Sequence, residues 1–360
     1  MPNTTYSNTL NKKSQNPRYN SELYASNDDR QRELNLKVLD LYQMAFRTKQ
    51  SADQQFLDIG CGTGDFTRDW LLPRCSPCQR IVAVDASVDM LAYARTHCAH
   101  PRVEHDYLNI GDDVSDFAKK YGKFDRIYSF FCLNWVKDQA RAMKNVSALL
   151  TPGGECLLVF PAWSPTRMLW RKVAELERWR KFSKVFESFV SRSQDLEDDD
   201  ARISYVRDIL RGADLEPSTC ELLYVQPNYN KPEAHIDMQL SLNPAWSMAT
   251  VEEREALKND VTTESTKEVK NKRNGGGILF VRNDFGKAST QLHKMFSELP
   301  TTIATGQRVA VPLWPFDVAI FADFLRGAFA FCVLLRRHPK KRQSFRSREI
   351  RPGCVARVML

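Results

Sequence analysis

No run of about 18 uncharged apolar residues occurs in the chain, so nothing reads as a membrane-spanning helix. Met1 to Asn20 holds no apolar core and is rich in Asn, Ser, Thr and Lys. It does not read as a secretory signal, and a disordered tail is expected there. Histidine is scarce, at six in 360 residues, and no convincing His/Asp pair offers itself as a general base. The nine cysteines are odd in number and scattered, which excludes a simple disulfide framework and fits the reduced thiols of a cytoplasmic enzyme. Cys75-Ser76-Pro77-Cys78 is a lone pair with His97, Cys98 and His100 downstream. No second cysteine pair has zinc spacing, so no metal is expected. Net charge is also missing from the body of the chain. Of 52 basic and 44 acidic residues, nine and one lie between Arg336 and Arg357, which leaves 43 of each elsewhere. The body therefore offers nucleic acid no electrostatic attraction, and only the tail could.

What is present is organised around Phe56-Leu57-Asp58-Ile59-Gly60-Cys61-Gly62-Thr63-Gly64-Asp65. An apolar run closed by Asp58 reads as a buried strand. Gly60, Gly62 and Gly64 turn the chain into a helical segment, Phe66 to Leu72. A strand, a glycine turn and a helix start form a nucleotide-type site, because glycine lets the backbone approach the ligand closely. The spacing is G-x-G-x-G, with Asp65 where a nicotinamide fingerprint would place its third glycine. An acid before the turn suits a cofactor with a cationic amino-acid end. Both details point to S-adenosyl-L-methionine.

Further strands are expected at Arg80–Asp85, Arg102–Tyr107, Lys123–Phe130 and Glu155–Phe160, alternating with helices at Val88–His97, Asp112–Tyr121 and Asp138–Leu150. This order predicts an α/β fold with a doubly wound, mostly parallel sheet and ligands at the carboxyl ends of its strands. Asp85, about twenty residues past the glycines, is placed to take the ribose hydroxyls, with Ala86 beside it. Asp106 is the candidate acceptor for the adenine amine, Tyr107 the candidate ring platform, and Ser129 a further cofactor contact. A helix is expected over Glu22 to Phe46, capped by Asn27, with Gln31 in its second turn facing the loop. Helical cap segments are expected at about 161–212 and 232–272, the first rich in Trp and Phe. Those aromatics serve either a pocket roof or a cap core. Leu196 to Asp200 reads as an acidic helix start. Strands at Glu221–Gln226 and Gly277–Arg282 would complete seven. The sheet then looks finished by residue 285, and 286–360 forms an extension with no assigned role.

Three motifs carry a resemblance. Asp58-Ile59-Gly60-Cys61-Gly62-Thr63-Gly64 is generic to S-adenosylmethionine enzymes. Ser129-Phe130-Phe131-Cys132-Leu133-Asn134-Trp135-Val136 and Leu150-Thr151-Pro152-Gly153-Gly154-Glu155-Cys156-Leu157-Leu158-Val159-Phe160 are more specific. Together with Tyr24 and Gln31, and more weakly Asn243-Pro244 and Asp260, they resemble the arthropod juvenile hormone acid O-methyltransferases over about residues 21–285. The resemblance implies a class I methyltransferase that esterifies a long apolar carboxylic acid, such as farnesoic or juvenile hormone acid. It also implies that Gln31 and Trp135 hold the substrate carboxylate. Two departures are visible: Asn134 stands where the family has His, and the Tyr24-to-Asn27 spacing is one residue short. Another small carboxylic acid as substrate, an RNA or protein methyltransferase recruited through the basic tail, and a non-catalytic binding module are the competing readings.

Overall fold

The computed structural model describes residues 19–46, 49–223, 232–271 and 330–337. The strand expected at 277–282, nearly all of the expected N-terminal tail and most of the basic run lie outside these residues.

Five strands run parallel: β1 (Gln55–Ile59), β2 (Arg80–Asp85), β3 (Val103–Tyr107), β4 (Phe124–Phe130) and β5 (Leu150–Phe160). Apart from the edge strand β3, Val103-Glu104-His105-Asp106-Tyr107, their sequences are rich in apolar residues, as a sheet covered on both faces requires. Ile127, Tyr128, Cys156, Leu157, Leu158, Val159 and Phe160 are all buried. Two more strands, β6 (Leu215–Leu223) and β7 (Ala330–Arg337), complete a seven-stranded sheet in the order β3-β2-β1-β4-β5-β7-β6. β7 is antiparallel to both of its neighbours.

The origin of β7 corrects the expectation that the sheet is finished by residue 285. A strand inserted between two others needs a continuous apolar run. Ala330-Phe331-Cys332-Val333-Leu334-Leu335 supplies six such residues, whereas Ile278-Leu279-Phe280-Val281 supplies four behind three glycines. Part of the 286–360 extension therefore belongs to the sheet.

The helices follow their sequence signals. Ahead of the sheet lie α1 (Ser21–Ala25) and α2 (Asp29–Gln43). They are two helices where one was expected, because Ser26, Asn27 and Asp28 interrupt the run. Asn27 does not cap α2; its amide donates to the Leu23 carbonyl at 2.9 Å. After β1, a π-wound turn at Thr67–Leu71 runs into α3 (Leu72–Cys75). Then come α4 (Val88–His97), capped by Ser87, and α5 (Ser115–Tyr121). In α6 (Gln139–Leu149) Asp138 caps the start, and Ala142, Met143, Val146 and Leu149 form the buried stripe.

The expected cap is helical: α7 (Pro165–Glu175), α8 (Ser183–Ser188) and α9 (Asp199–Arg211) before β6, then α10 (Pro232–Ser241) and α11 (Val251–Asn271) after it. The acidic run before α9 is a helix start, with Asp198 accepting from Ala201 N at 2.7 Å. Trp170, Trp179, Phe182, Phe186, Leu240 and Leu257 belong to a second core that joins the two inserts. At about 1.5–3 kcal/mol per buried large side chain, this second core is what holds α10 and α11 to α7. Trp179 Nε1 donates to Asp260 at 2.5 Å, and Arg178 pairs with the same carboxylate. No helix of the described residues is long and apolar enough to cross a membrane.

Candidate active site

From β1 the strand order runs outward in both directions, and the crevice beyond the carboxyl ends of β1 and β4 is where such sheets bind ligands. A cavity of about 590 Å³ lies there, within the size range of small-molecule sites.

The glycine turn forms its floor. Gly60 has φ +82°, and a Cβ there would come within 2.2 Å of Cys132 Cβ, so only glycine lets the β1 and β4 ends meet. Gly62 N donates to Asp85 Oδ2 at 2.9 Å, and Ser87 N to Asp85 Oδ1 at 2.8 Å. These two bonds aim the carboxylate across the β1–β2 crevice. Asp58 is 3% exposed and accepts from Thr67 Oγ1 at 2.6 Å. Burial pushes Asp58 up to about 7, opposed by the Thr67 bond, and pushes Asp85 up as well. The floor is thus a set of buried carboxylates held at a cost that a bound cation would relieve.

The N-terminal segment covers this floor. Tyr24 stacks towards Gly62, whose hypothetical Cβ would lie 3.8 Å from the Tyr24 ring. Asn20 N donates to the Ser241 carbonyl at 3.2 Å and Tyr19 N to Asp89 at 3.3 Å, tying the segment to α10 and α4. Arg32 on α2 pairs with Asp65 of the glycine loop at 2.9 Å and also with Asp28. Burial, with Asp65 nearby, pushes Asp28 up to about 7. Gln31 lies in the first turn of α2 and donates from Nε2 to Tyr24 Oη at 2.9 Å.

The far wall is aromatic. Trp135 is on the short 3-10 turn after β4 (Leu133–Trp135) and packs on Tyr19, Trp170 and Phe189 with ring centroids 5.6–5.9 Å apart. Trp163, Phe189 and Phe130 also face the cavity. The aromatic cap residues therefore divide between the two roles open to them: Trp163 and Phe189 line the cavity, while Trp170, Trp179, Phe182 and Phe186 form cap core.

Gln31, Trp135, Asp58, Gly60, Gly62, Asp85 and Ala86 all border the one cavity. Four other expected residues do not. Asp106 accepts from Lys120 Nζ at 2.9 Å and Tyr121 Oη at 3.0 Å, so its carboxylate faces α5. Tyr107 is likewise absent from the lining; the cavity takes its residues from the next turn, at Leu108, Asn109 and Ile110. Ser129 is buried and donates to the Ile59 carbonyl at 2.9 Å, stitching β4 to β1. Gly64, at φ +80°, backs against Ala94 and His105, 2.9 Å from where its Cβ would be.

Residues 57–156 match the family described as a methyltransferase domain. The chain is 28% identical to the juvenile hormone acid O-methyltransferase of Bombyx mori over 57% of its own length and 73% of that relative. It is 30% identical to the Drosophila melanogaster enzyme of the same name over 43% of its length and 52% of that relative. The trans-aconitate 2-methyltransferase of Variovorax paradoxus is 33% identical over 34% of this chain and 45% of its own. The chain thus spans about three quarters of the first of these relatives and about half of the other two. A glycine turn with buried acids, a parallel sheet closed by an antiparallel strand, and these matches agree. The chain carries a class I S-adenosylmethionine-dependent methyltransferase domain.

One wall residue of this methyltransferase gave no sequence signal. Arg167, near the start of α7, reads as a solvated helix position after Ser164-Pro165. It is instead 3% exposed and borders the cavity, with its guanidinium carbon 4.2 Å from the Trp135 ring centre. Nε donates to the Phe189 carbonyl at 2.9 Å and Nη1 to Ser164 Oγ at 3.2 Å. Asn134, with its amide turned as its neighbours require, donates to the Phe131 carbonyl at 2.8 Å and accepts from Nη1 and Nη2 of Arg167 at 3.1 and 3.3 Å. Among the described residues, no group of three His, Cys, Asp or Glu side chains is gathered to hold a metal.

Proposed function

We propose that this methyltransferase transfers a methyl group to the carboxylate of a long, apolar acid of the sesquiterpenoid class, giving the methyl ester. The observation that supports it most is the two-ended cavity. The acids Asp58 and Asp85 lie at one end, and Gln31, Arg167 and the aromatic rings about Trp135 lie at the other.

The residues fit the cofactor on structural grounds: Asp58 is buried and Asp85 half-buried, neither has a cationic partner among the described residues, burial pushes both upward, and the Gly60 turn leaves no room for a side chain. Asp58 would hold the amino-acid end, Asp85 the ribose, and Asn109 the adenine edge. When bound, S-adenosylmethionine supplies an electrophilic methyl group on a sulfonium. The protein's own share is placement. A carboxylic acid is already ionised at pH 7, so no general base is needed, in keeping with the scarcity of His/Asp pairs. Gln31 and Trp135 donate to the carboxylate through an amide N–H and an indole N–H. Within the described residues, nothing accepts from Trp135 Nε1, which leaves that donor for a ligand. The aromatic wall excludes water and takes the apolar chain. Holding two reactants aligned is worth on the order of 7–11 kcal/mol. The catalytic unit we propose is residues 21–285 completed by β7.

The test is incubation of the full chain with labelled S-adenosylmethionine and a panel of acids from acetate to farnesoic acid, read by mass spectrometry. A farnesyl-sized acid should be methylated far faster than a short one. Trans-aconitate belongs in the panel, since a relative named for that substrate is 33% identical over 34% of this chain. Equal rates for acetate and farnesoic acid would reject the apolar-acid reading. Turnover of trans-aconitate alone would replace it with a reading in which the substrate is a small polyacid.

A further inference from the structure

We propose that Arg167 is the cation that recognises the substrate's anionic carboxylate, and that Asn134 and Trp135 hold it ready for that role. The inference rests on the carboxylate-methylating reading above and adds to it the residue that distinguishes acid from ester.

The case begins with an imbalance of charge. A buried guanidinium is normally matched by a carboxylate, because moving an unpaired ion out of water costs several kcal/mol (order of magnitude). Arg167 is buried and every partner it has is neutral: the Phe189 carbonyl, the Ser164 hydroxyl and the Asn134 amide oxygen. Among the described residues it makes no salt bridge, and burial raises the Tyr19 phenol so that it stays uncharged and does not neutralise it. Burial accordingly pulls its pKa down to about 9. Arg32, the other arginine of the cavity lining, is by contrast paired with both Asp28 and Asp65. The cation at Arg167 is left uncompensated, and it borders the cavity.

The surroundings hold it in place. Its plane lies over Trp135, where the ring face adds cation–π attraction. Nε is fixed by the Phe189 carbonyl at the α8 end and Nη1 by Ser164 and Asn134, while Nη2 gives one N–H to Asn134 and keeps one unused among the described residues. The one N–H this leaves, on Nη2, can give a carboxylate a charge-assisted hydrogen bond. Asn134 fits this arrangement because its carbonyl oxygen accepts from the guanidinium without neutralising it. A histidine there could donate or carry charge, and would compete with Arg167 for the anion.

Such a cation acts on binding more than on the chemical step. The carboxylate is fully charged on arrival and loses its charge as the ester forms, so Arg167 stabilises the bound acid more than the transition state. The uncharged ester no longer pairs with it, which favours product release.

The experiment measures binding of farnesoic acid and of methyl farnesoate to the full chain saturated with S-adenosylhomocysteine, so that no turnover occurs. Wild type should bind the acid well above the ester. Arg167→Gln should weaken the acid at least tenfold and leave the ester within about twofold. Asn134→Asp, which places a carboxylate against the guanidinium without removing it, should do the same while sparing the Arg167 packing. S-adenosylhomocysteine affinity and melting temperature report whether each variant is folded. Equal loss for acid and ester in both variants would make Arg167 a packing residue, and no loss of either would place it outside the site; both results overturn the inference. A wild type that methylates no acid in the panel defeats the functional reading itself, a result recognisable before any variant is made.

Discussion

Asp58 offers a quantitative handle on the cationic end of the site. Burial holds its carboxyl near pKa 7 in the ligand-free protein, against an unfolded value near 3.9. If the ionised form pairs with the cofactor's ammonium, binding must first expel the proton at low pH. With a half-point of about 7, roughly 3% of the sites are ionised at pH 5.5 and half at pH 7. Affinity for S-adenosylmethionine should therefore rise about 16-fold across that window, or ~1.6 kcal/mol. Below pH 7 the cofactor's own amino group, with a pKa of about 7.7–8.0, stays charged and contributes no slope. Titration calorimetry in buffers of different ionisation enthalpy measures both affinity and protons. It should show about one proton released per cofactor at pH 5.5 and about half of one at pH 7. Asp58→Asn should bind more weakly and lose most of the slope, while Asp28→Asn should keep it, because Asp28 already has Arg32 as partner. The sign for folding runs the other way. A carboxyl with its folded pKa raised contributes stability below about pH 4 that is lost as pH rises through about 7. Without ligand, wild type should melt progressively lower from pH 5 to 8, and Asp58→Asn should melt above it at pH 8. A cofactor affinity that is flat between pH 5.5 and 7, with no proton released, would refute the reasoning.

Two predictions concern the scaffold. Asp260→Ala removes the acceptor of the buried Trp179 indole and the partner of Arg178, and should cost about 1–3 kcal/mol in chemical denaturation with cofactor affinity unchanged; unchanged stability would mean the cap is held by its apolar core alone. A chain stopped after residue 329 lacks β7 and leaves β5 and β6 as unpaired edges, so it should aggregate or fail to bind S-adenosylhomocysteine. A soluble truncated chain with the wild-type melting temperature would count against the observed strand order.

The sheet was legible from β1 to β5 because β1, β2, β4 and β5 combine an apolar run with a turn or cap signal, the polar β3 falls where the alternation of strands and helices needs one, and Asp58 and Asp85 mark two of the carboxyl ends. The sixth strand was found late in its span, starting at Glu221 instead of Leu215, since Pro217 and Ser218 break the pattern that periodicity looks for. The strand between β5 and β6, Ala330–Arg337, lies far along the chain from both, and the apolar run at 278–281, which is nearer in sequence, lies outside the described residues. Within the site, residues fixed by backbone geometry were readable: the glycine turn, Asp85 and Trp135 follow directly from strand ends. Side-chain direction was not. Asp106 has the position of an adenine ligand, but Lys120 and Tyr121, both in the last turn of α5, draw its carboxylate away. Arg167 escaped notice for the opposite reason, because a helix-start arginine is usually solvated, and only the packing of α7 against the β4 turn buries it. Asn243 and Asp260, part of the family resemblance, fasten the cap: Asn243 Oδ1 accepts from Ala245 N at 2.9 Å, and Asp260 holds Trp179.

The interruption between α1 and α2 has a kinetic consequence. Tyr24, which roofs the glycine floor, and Gln31, which borders the cavity and is proposed to hold the acid, sit on either side of that three-residue break and are joined by one hydrogen bond. Whatever lifts the roof also disturbs the acid-facing amide. On the proposed reading, the nucleoside must therefore enter first and leave last, and an acid seated on Gln31 locks it in. Turnover would then follow an ordered sequence, with excess acid slowing departure of the spent nucleoside and producing substrate inhibition.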